Sequence, residues 1–193
     1  NNIIGAMRLP FFILILLFAI QIQARTIHVN SKLSKLTIKQ AIREAKVGDT
    51  IAVYPGHYKE GNIVVDKRVV LKGINLPVLD GQHKFELLSI KANGVVVDGF
   101  KIIHSGVSSM DDMGGIKLYD CRDVIIQNNQ LEDTFFGIYI QFGKNCSVLN
   151  NNLTAFSKEE QQSGNGIHCW KSDSIKIIGN SINFLECYKE YIL

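Results

Sequence analysis

The segment HSGVSSMDDM concentrates the most reactive residue types of the chain. His104, Met110 and Met113 stand there beside Asp111 and Asp112, and two of the three methionines fall within it. One imidazole and two thioethers make a soft donor set suited to reduced copper. His104, Met110 and Met113 are therefore the expected metal ligands. A second group comprises Lys117, Tyr139, His168 and Trp170, the last being the sole tryptophan. Aromatic rings beside a cation suit the binding of a sugar ring or a partner protein. These four residues are the expected ligand or partner surface.

Catalytic arrangements are weaker. Glycoside hydrolysis needs two carboxyls roughly 5 to 10 Å apart across the scissile bond. Asp111–Asp112 and Glu132–Asp133 are adjacent pairs, and neighbours on a strand point to opposite faces. Lyase chemistry needs an outward base beside a charge-neutralising site. Lys117 and His168 offer a base without an accompanying acidic cation site. The expectation is a binding protein with no catalytic residues. Its rival is a secreted carbohydrate-binding or polysaccharide-modifying protein using Tyr139, His168 and Trp170.

The elements that must position these groups form a repeat. Gly115–Leu118 (GIKL), Gly137–Ile140 (GIYI) and Gly166–Cys169 (GIHC) align without gaps, and their isoleucines are 22 and 29 residues apart. Second apolar segments begin at Val124, Cys146 and Ile175, and third apolar points follow at Leu131, Leu153 and Ile182. Two weaker copies start at Ile63 and Leu87. The longer spacing reflects loops inserted around His104 to Gly114 and around Ser157 to Asn165. Short period-2 strands divided by Gly and Asn corners predict an all-β fold, a right-handed single-stranded parallel β-helix. Ile116, Leu118, Val124, Ile126 and Leu131 should point inward. Asn128, Asn150 and Gly179 suit left-handed corners. Asn129, Asn151 and Asn180, in register, predict a ladder of side-chain amides bonded to one another or to corner backbone. Lys117, Tyr139 and His168 share one outward column, and Trp170 lies in the next.

An N-terminal helix should cap this solenoid. Ile38, Ala41, Ile42 and Ala45 give one apolar face, Thr37 and Gln40 a capping box, and Gly48 a stop, placing the helix at about 37–47. It would shield the apolar cross-section and open strand edges of the first coil. The segment GDTIAVYPGHY then reads as a strand ending in a Pro-Gly turn, and coils follow over about 62–182. Residues 1–24 read as a secretory signal peptide with upstream residues: Met7-Arg8, an apolar run from Leu9 to Ile20, then Gln21–Ala24. That run is short of the roughly 20 apolar residues of a spanning helix. Residues 25–193 are the β-helix, expected to work outside the cytoplasm.

Composition narrows the partners. The 193 residues carry a formal charge of +3, with no basic run, so nucleic acid is not expected. Four cysteines without a CxxC pair argue against a zinc ribbon. Cys146 and Cys169 fall in inward columns, as small core residues do, and Cys121 falls in a corner. Export permits a disulfide, but no spacing indicates one.

The motifs GNGIHCWKS (Gly164–Ser172), FFGIYI (Phe135–Ile140), DGFKIIHSG (Asp98–Gly106) and GDTIAVYPGHY resemble the NosD family, over essentially Thr37 to Ile182. The resemblance implies a periplasmic, pectin-lyase-like β-helix that assists copper-site maturation of nitrous oxide reductase. It implies as partners ABC transporter subunits, a copper-delivering lipoprotein and the reductase itself, with membrane contact only through them. Copper is the one cofactor it implies, and the role is accessory, without catalysis. The family continues with further coils, whereas Asn183–Leu193 (NFLECYKEYIL) leaves the repeat pattern. A truncation or frameshift near Ile182 is the expectation drawn from that departure.

Overall fold

Three faces of parallel strands wind around one apolar axis. The computed structural model describes residues 24–30, 35–108, 110–157 and 164–186. All of the signal-peptide segment except Ala24 lies outside the described residues. In chain order the elements are β1 (Thr26–Val29), the helix α1 (Ile38–Glu44), β2 (Thr50–Val53), β3 (His57–Tyr58) and β4 (Ile63–Val65). Then come β5 (Val70–Gly73), β6 (Val78–Asp80), β7 (Leu88–Ile90), β8 (Val96–Asp98), β9 (Lys101–Ile103) and β10 (Gly114–Tyr119). The stack ends with β11 (Ile125–Gln127), β12 (Gln130–Glu132), β13 (Phe136–Gln141), β14 (Ser147–Leu149), β15 (Asn152–Ser157), β16 (Ile167–Trp170), β17 (Lys176–Ile178) and β18 (Ser181–Glu186).

Every third strand stacks on its counterpart in the next coil. The first face is the seven-stranded sheet β1-β2-β5-β8-β11-β14-β17, the second the six-stranded β18-β15-β12-β9-β6-β3, and the third the five-stranded β16-β13-β10-β7-β4. The fold is thus a right-handed parallel β-helix of about 6 turns, with one short helix among the described residues. Its core is a set of vertical apolar rows. Ile63, Leu88, Ile116, Ile138 and Ile167 are in register on the third face. Leu71, Val97, Ile126 and Val148 are in register on the first. Tyr58, Leu79, Ile102, Leu131 and Leu153 line up on the second. Ile116, Leu118, Val124 and Ile126 are wholly buried and Leu131 nearly so. Each such side chain contributes about 1.5–3 kcal/mol of burial.

The corners use the residues that tolerate positive φ. Asn128, Asn150 and Gly179 adopt φ of 55°, 52° and 68°. Directly after them runs the amide ladder. Asn129 Nδ2 donates to Asn151 Oδ1 at 3.0 Å, and Asn151 Nδ2 donates to Asn180 Oδ1 at 2.9 Å. The same amides also donate to the Val97, Ile126 and Val148 carbonyls. In the coil before, buried Phe100 takes the equivalent place, and its backbone N–H donates to Asn129 Oδ1.

The start of the stack differs from the sequence expectation in two ways. The strand β1 precedes the helix and pairs with β2 along its whole length; Thr26-Ile27-His28-Val29 alternates polar and apolar as a strand does, but four residues outside the repeat are too short a signal to place it. The helix ends at Glu44, short of residue 47. Ala45 is already extended, and the Lys46 N–H turns away to the Asp49 carboxylate at 2.9 Å. The capping box is formed, and the Ile38 and Lys39 N–H groups donate to Glu60. Buried Ile38, Ala41 and Ile42 set the helix against β1, β2 and β4. The GDTIAVYPGHY segment forms two strands, β2 and β3, because Pro55-Gly56 turns the chain between faces. At the other end, Asn183–Glu186 stays in the pattern, pairing with Thr154–Ser157 of β15. Residues 187–193 lie outside the described residues.

Candidate functional site

The loop between β9 and β10 folds back over the third face. Gly106 donates its N–H to the Phe85 carbonyl, and the Met113 sulfur lies against Gly106 so closely that a Cβ there would meet it at 2.6 Å. The Asp112 carbonyl accepts from Lys117 Nζ at 3.0 Å. Lys117 Nζ also sits 4.9 Å from the centre of the Tyr119 ring and 4.8 Å from that of Tyr139. Lys117 and Tyr139, outward by strand alternation, are consequently 7% and 4% exposed. Both were expected on an outward ligand or partner surface; the loop instead buries them.

Beneath the loop lies a groove of about 360 Å³ lined by Glu86, Ser89, Lys91, Met113, Lys117 and Tyr119, among others. Its polar floor is a connected set. Tyr119 donates its hydroxyl to both Glu86 oxygens at 3.0 and 3.1 Å, Ser89 donates to Glu86, and Asn62 Nδ2 donates to Ser89 Oγ at 2.7 Å. Lys91 Nζ lies 5.2 Å from the Tyr119 ring centre. Burial raises the Tyr119 hydroxyl, and the Glu86 charge adds to the effect. Tyr139 is raised in the same sense by burial and then by Asp112. Both phenols therefore stay protonated donors at neutral pH. A buried carboxylate, two ammonium groups and the Tyr119 phenol line the groove and can hold a polar ligand by hydrogen bonds and charge. Sequence reasoning missed Glu86, Ser89 and Asn62. Ser89 was accessible through register, since it is the partner of Lys117 on the preceding coil.

The remaining candidates are dispersed. Tyr139 and His168 are paired on adjacent strands, with rings stacked at 4.9 Å and 14°, and Phe136 packs against both. Trp170, half exposed, carries Lys171 Nζ 5.7 Å from its ring centre. Met110 is 92% exposed. His104 faces a different corner, where its Nδ1 meets Asp80 Oδ1 at 3.0 Å and its ring lies 4.5 Å from that of His83. Of the expected copper ligands, only Met113 lines the groove.

The cysteines divide by position in the stack. Cys121 and Cys146 are buried, with thiols pointing to backbone carbonyls. Cys169 is in register with buried Ile140, as its column predicts, but is exposed. It belongs to β16, the terminal strand of its face, and no further strand among the described residues covers it.

A parallel β-helix with a polar groove on one flank defines a scaffold class, and comparison with known proteins places the chain within it. The chain belongs to the family described as right-handed β-helix region, which matches residues 79–182. Over 125 residues it is also 26% identical to the "Probable ABC transporter binding protein NosD" of Pseudomonas aeruginosa, a stretch covering 64% of this chain and 29% of that protein. The chain thus spans less than a third of that relative's length. No solved structure matches it. No helix among the described residues is long and apolar enough to cross a membrane.

Proposed function

We propose that this chain is a NosD-like accessory β-helix, exported to the periplasm, that assists copper-site maturation of nitrous oxide reductase together with an ABC transporter. The observation that carries the reading is the 125-residue likeness to a protein named as an ABC transporter binding protein. The groove supports it as a docking feature: its charged and aromatic groups are fixed by the loop over them, as suits recognition. Copper is the cargo of this function, and the role is accessory, without catalysis. In the source organism, deletion of the gene should leave nitrous oxide reductase deficient in copper, and re-expression should restore it. The tagged chain should also retain identified ABC transporter subunits. Full copper content in the deletion strain would remove the reading.

The carbohydrate-binding alternative keeps one favourable observation, the half-exposed Trp170 ring on the strand that also carries His168. Quenching of Trp170 fluorescence by uronate oligosaccharides, with an intact reductase in the deletion strain, would favour it.

A further inference from the structure

We infer that His83, His104 and Asp133 form a binding site for one divalent first-row transition ion at the corner that follows β6, β9 and β12. The site does not depend on the copper-maturation reading, and it excludes both methionines of the neighbouring loop.

The corner brings together two imidazoles and a carboxylate from three successive coils. Each residue offers one ligand atom, and these atoms lie within 4.8 Å of one another. His83 Nε2 is 3.9 Å from Asp133 Oδ2. Ligand atoms around an ion with bonds near 2.0–2.1 Å stand about 3.3 Å apart in a tetrahedron. Small side-chain rotations close the difference, because all three groups retain solvent exposure. Two imidazoles and one carboxylate suit Cu²⁺, Ni²⁺ or Zn²⁺, with Cu²⁺ held most tightly by the usual order of affinities.

The surroundings orient the ligands. Asp80, largely buried, accepts from His104 Nδ1, which leaves His104 Nε2 as the nitrogen with a free lone pair. A carboxylate behind a ligand imidazole is the usual means of fixing its tautomer and ring direction. Asp80 is held in turn by the Gln82 N–H and by His57 Nε2, at 2.9 and 2.8 Å. The backbone places the three ligands at left-handed corners, which recur along this solenoid at other non-glycine residues such as Asp123 and Asn145. His83, His104 and Asp133 have φ of 56°, 56° and 50°, a region that side-chain-bearing residues rarely occupy. The His83 N–H donates to the His104 carbonyl and the His104 N–H to the Glu132 carbonyl, so ladder bonds hold the strained residues in a column. Histidines at successive left-handed corners, where Asn or Gly would fit more easily, place their imidazoles side by side.

The test is titration of the purified full chain with CuSO₄, read by calorimetry and by the EPR spectrum of bound Cu²⁺. One equivalent should bind, with hyperfine structure from two imidazole nitrogens. His83→Asn and His104→Asn keep a residue that accepts positive φ, so the fold should survive, as circular dichroism checks. Each should abolish the two-nitrogen signal. Asp80→Asn should weaken binding by about 10- to 100-fold, as loss of a supporting carboxylate does. The Met110→Ala/Met113→Ala double variant should bind as the wild type does. Absence of a one-equivalent site in the wild type, or a signal unchanged in both histidine variants, would overturn the inference. Loss of the site in the methionine variant would do the same. Copper binding at this corner alongside a fully loaded reductase in the deletion strain would retain the site and remove the function proposed above.

Discussion

Asn129 and Asn151 are bound to each other through the core of the solenoid. The Asn151 Oδ1 atom accepts at 3.0 Å from both the backbone N–H and the side-chain amide of Asn129, and both residues are 1% exposed. One oxygen therefore satisfies a corner N–H that the ladders of the faces do not reach. Replacing Asn151 by Ala leaves the buried Asn129 N–H without an acceptor, at a cost of about 1–3 kcal/mol. Urea unfolding should show the loss, with a smaller effect for Asn180→Ala because that residue is partly solvated. Equal stability of Asn151→Ala and wild type would contradict this role.

Asp49 ties the end of the helix to the first strand. It accepts from the Lys46 N–H and from the backbone N–H and side chain of Arg25, and these hold its carboxyl at about 2. An unfolded Asp titrates near 3.9. The stabilisation is thus complete above about pH 4, and protonation removes it as pH falls toward 2. Urea midpoints of wild type and Asp49→Asn should differ above pH 4 and converge between pH 4 and pH 2. A gap constant with pH would exclude the charge as its source.

Lys117 pins the loop over the groove. Its ammonium lies between the Tyr119 and Tyr139 rings and donates to the Asp112 carbonyl. A desolvated cation on an aromatic face is worth roughly 2 kcal/mol. Lys117→Met should therefore speed amide hydrogen exchange at Met113, whose N–H donates to the Asp111 carbonyl, by about tenfold or more. Exchange in β13 should stay slow. Unaltered exchange in the loop would show that other contacts hold it.

The three described thiols should react in order of exposure. Burial raises all of them above the ordinary cysteine value. Only Cys169 is exposed, so mass spectrometry after mild alkylation at pH 8 should find it modified while Cys121 and Cys146 are protected. Those two should react only after unfolding. Early labelling of Cys146 would mean that the corner before β14 opens readily.

The fold was legible because the solenoid is a local pattern repeated. Alternation at GIKL, GIYI and GIHC, with Asn and Gly at each corner, specifies face, register and corner without distant information. The strand β1 and the early end of α1 were less legible. A four-residue strand earns its place by pairing with β2, and the helix end is decided by Asp49 reaching Lys46. The alternation of Thr26–Val29 is too short to name its partner, and the Asp49–Lys46 contact has no periodic signature.

The functional surface divides in the same way. Sequence alone determined the β-helix, the buried rows around Ile116 and Ile126, the asparagine column and the pairing of Lys117 with Tyr139 and His168, because register follows from spacing. Tertiary structure decided what those outward groups meet. The loop after His104 covers Lys117 and Tyr139, joins Met113 to Glu86 and Tyr119, and leaves Met110 in solvent. It also turns His104 away from the methionines and toward Asp80 and His83. His83, His104 and Asp133 are separated in sequence by 21 and 29 residues, yet stacking on adjacent coils makes them neighbours. Loop direction and contacts between coils depend on side chains packed from distant segments, which no local spacing encodes.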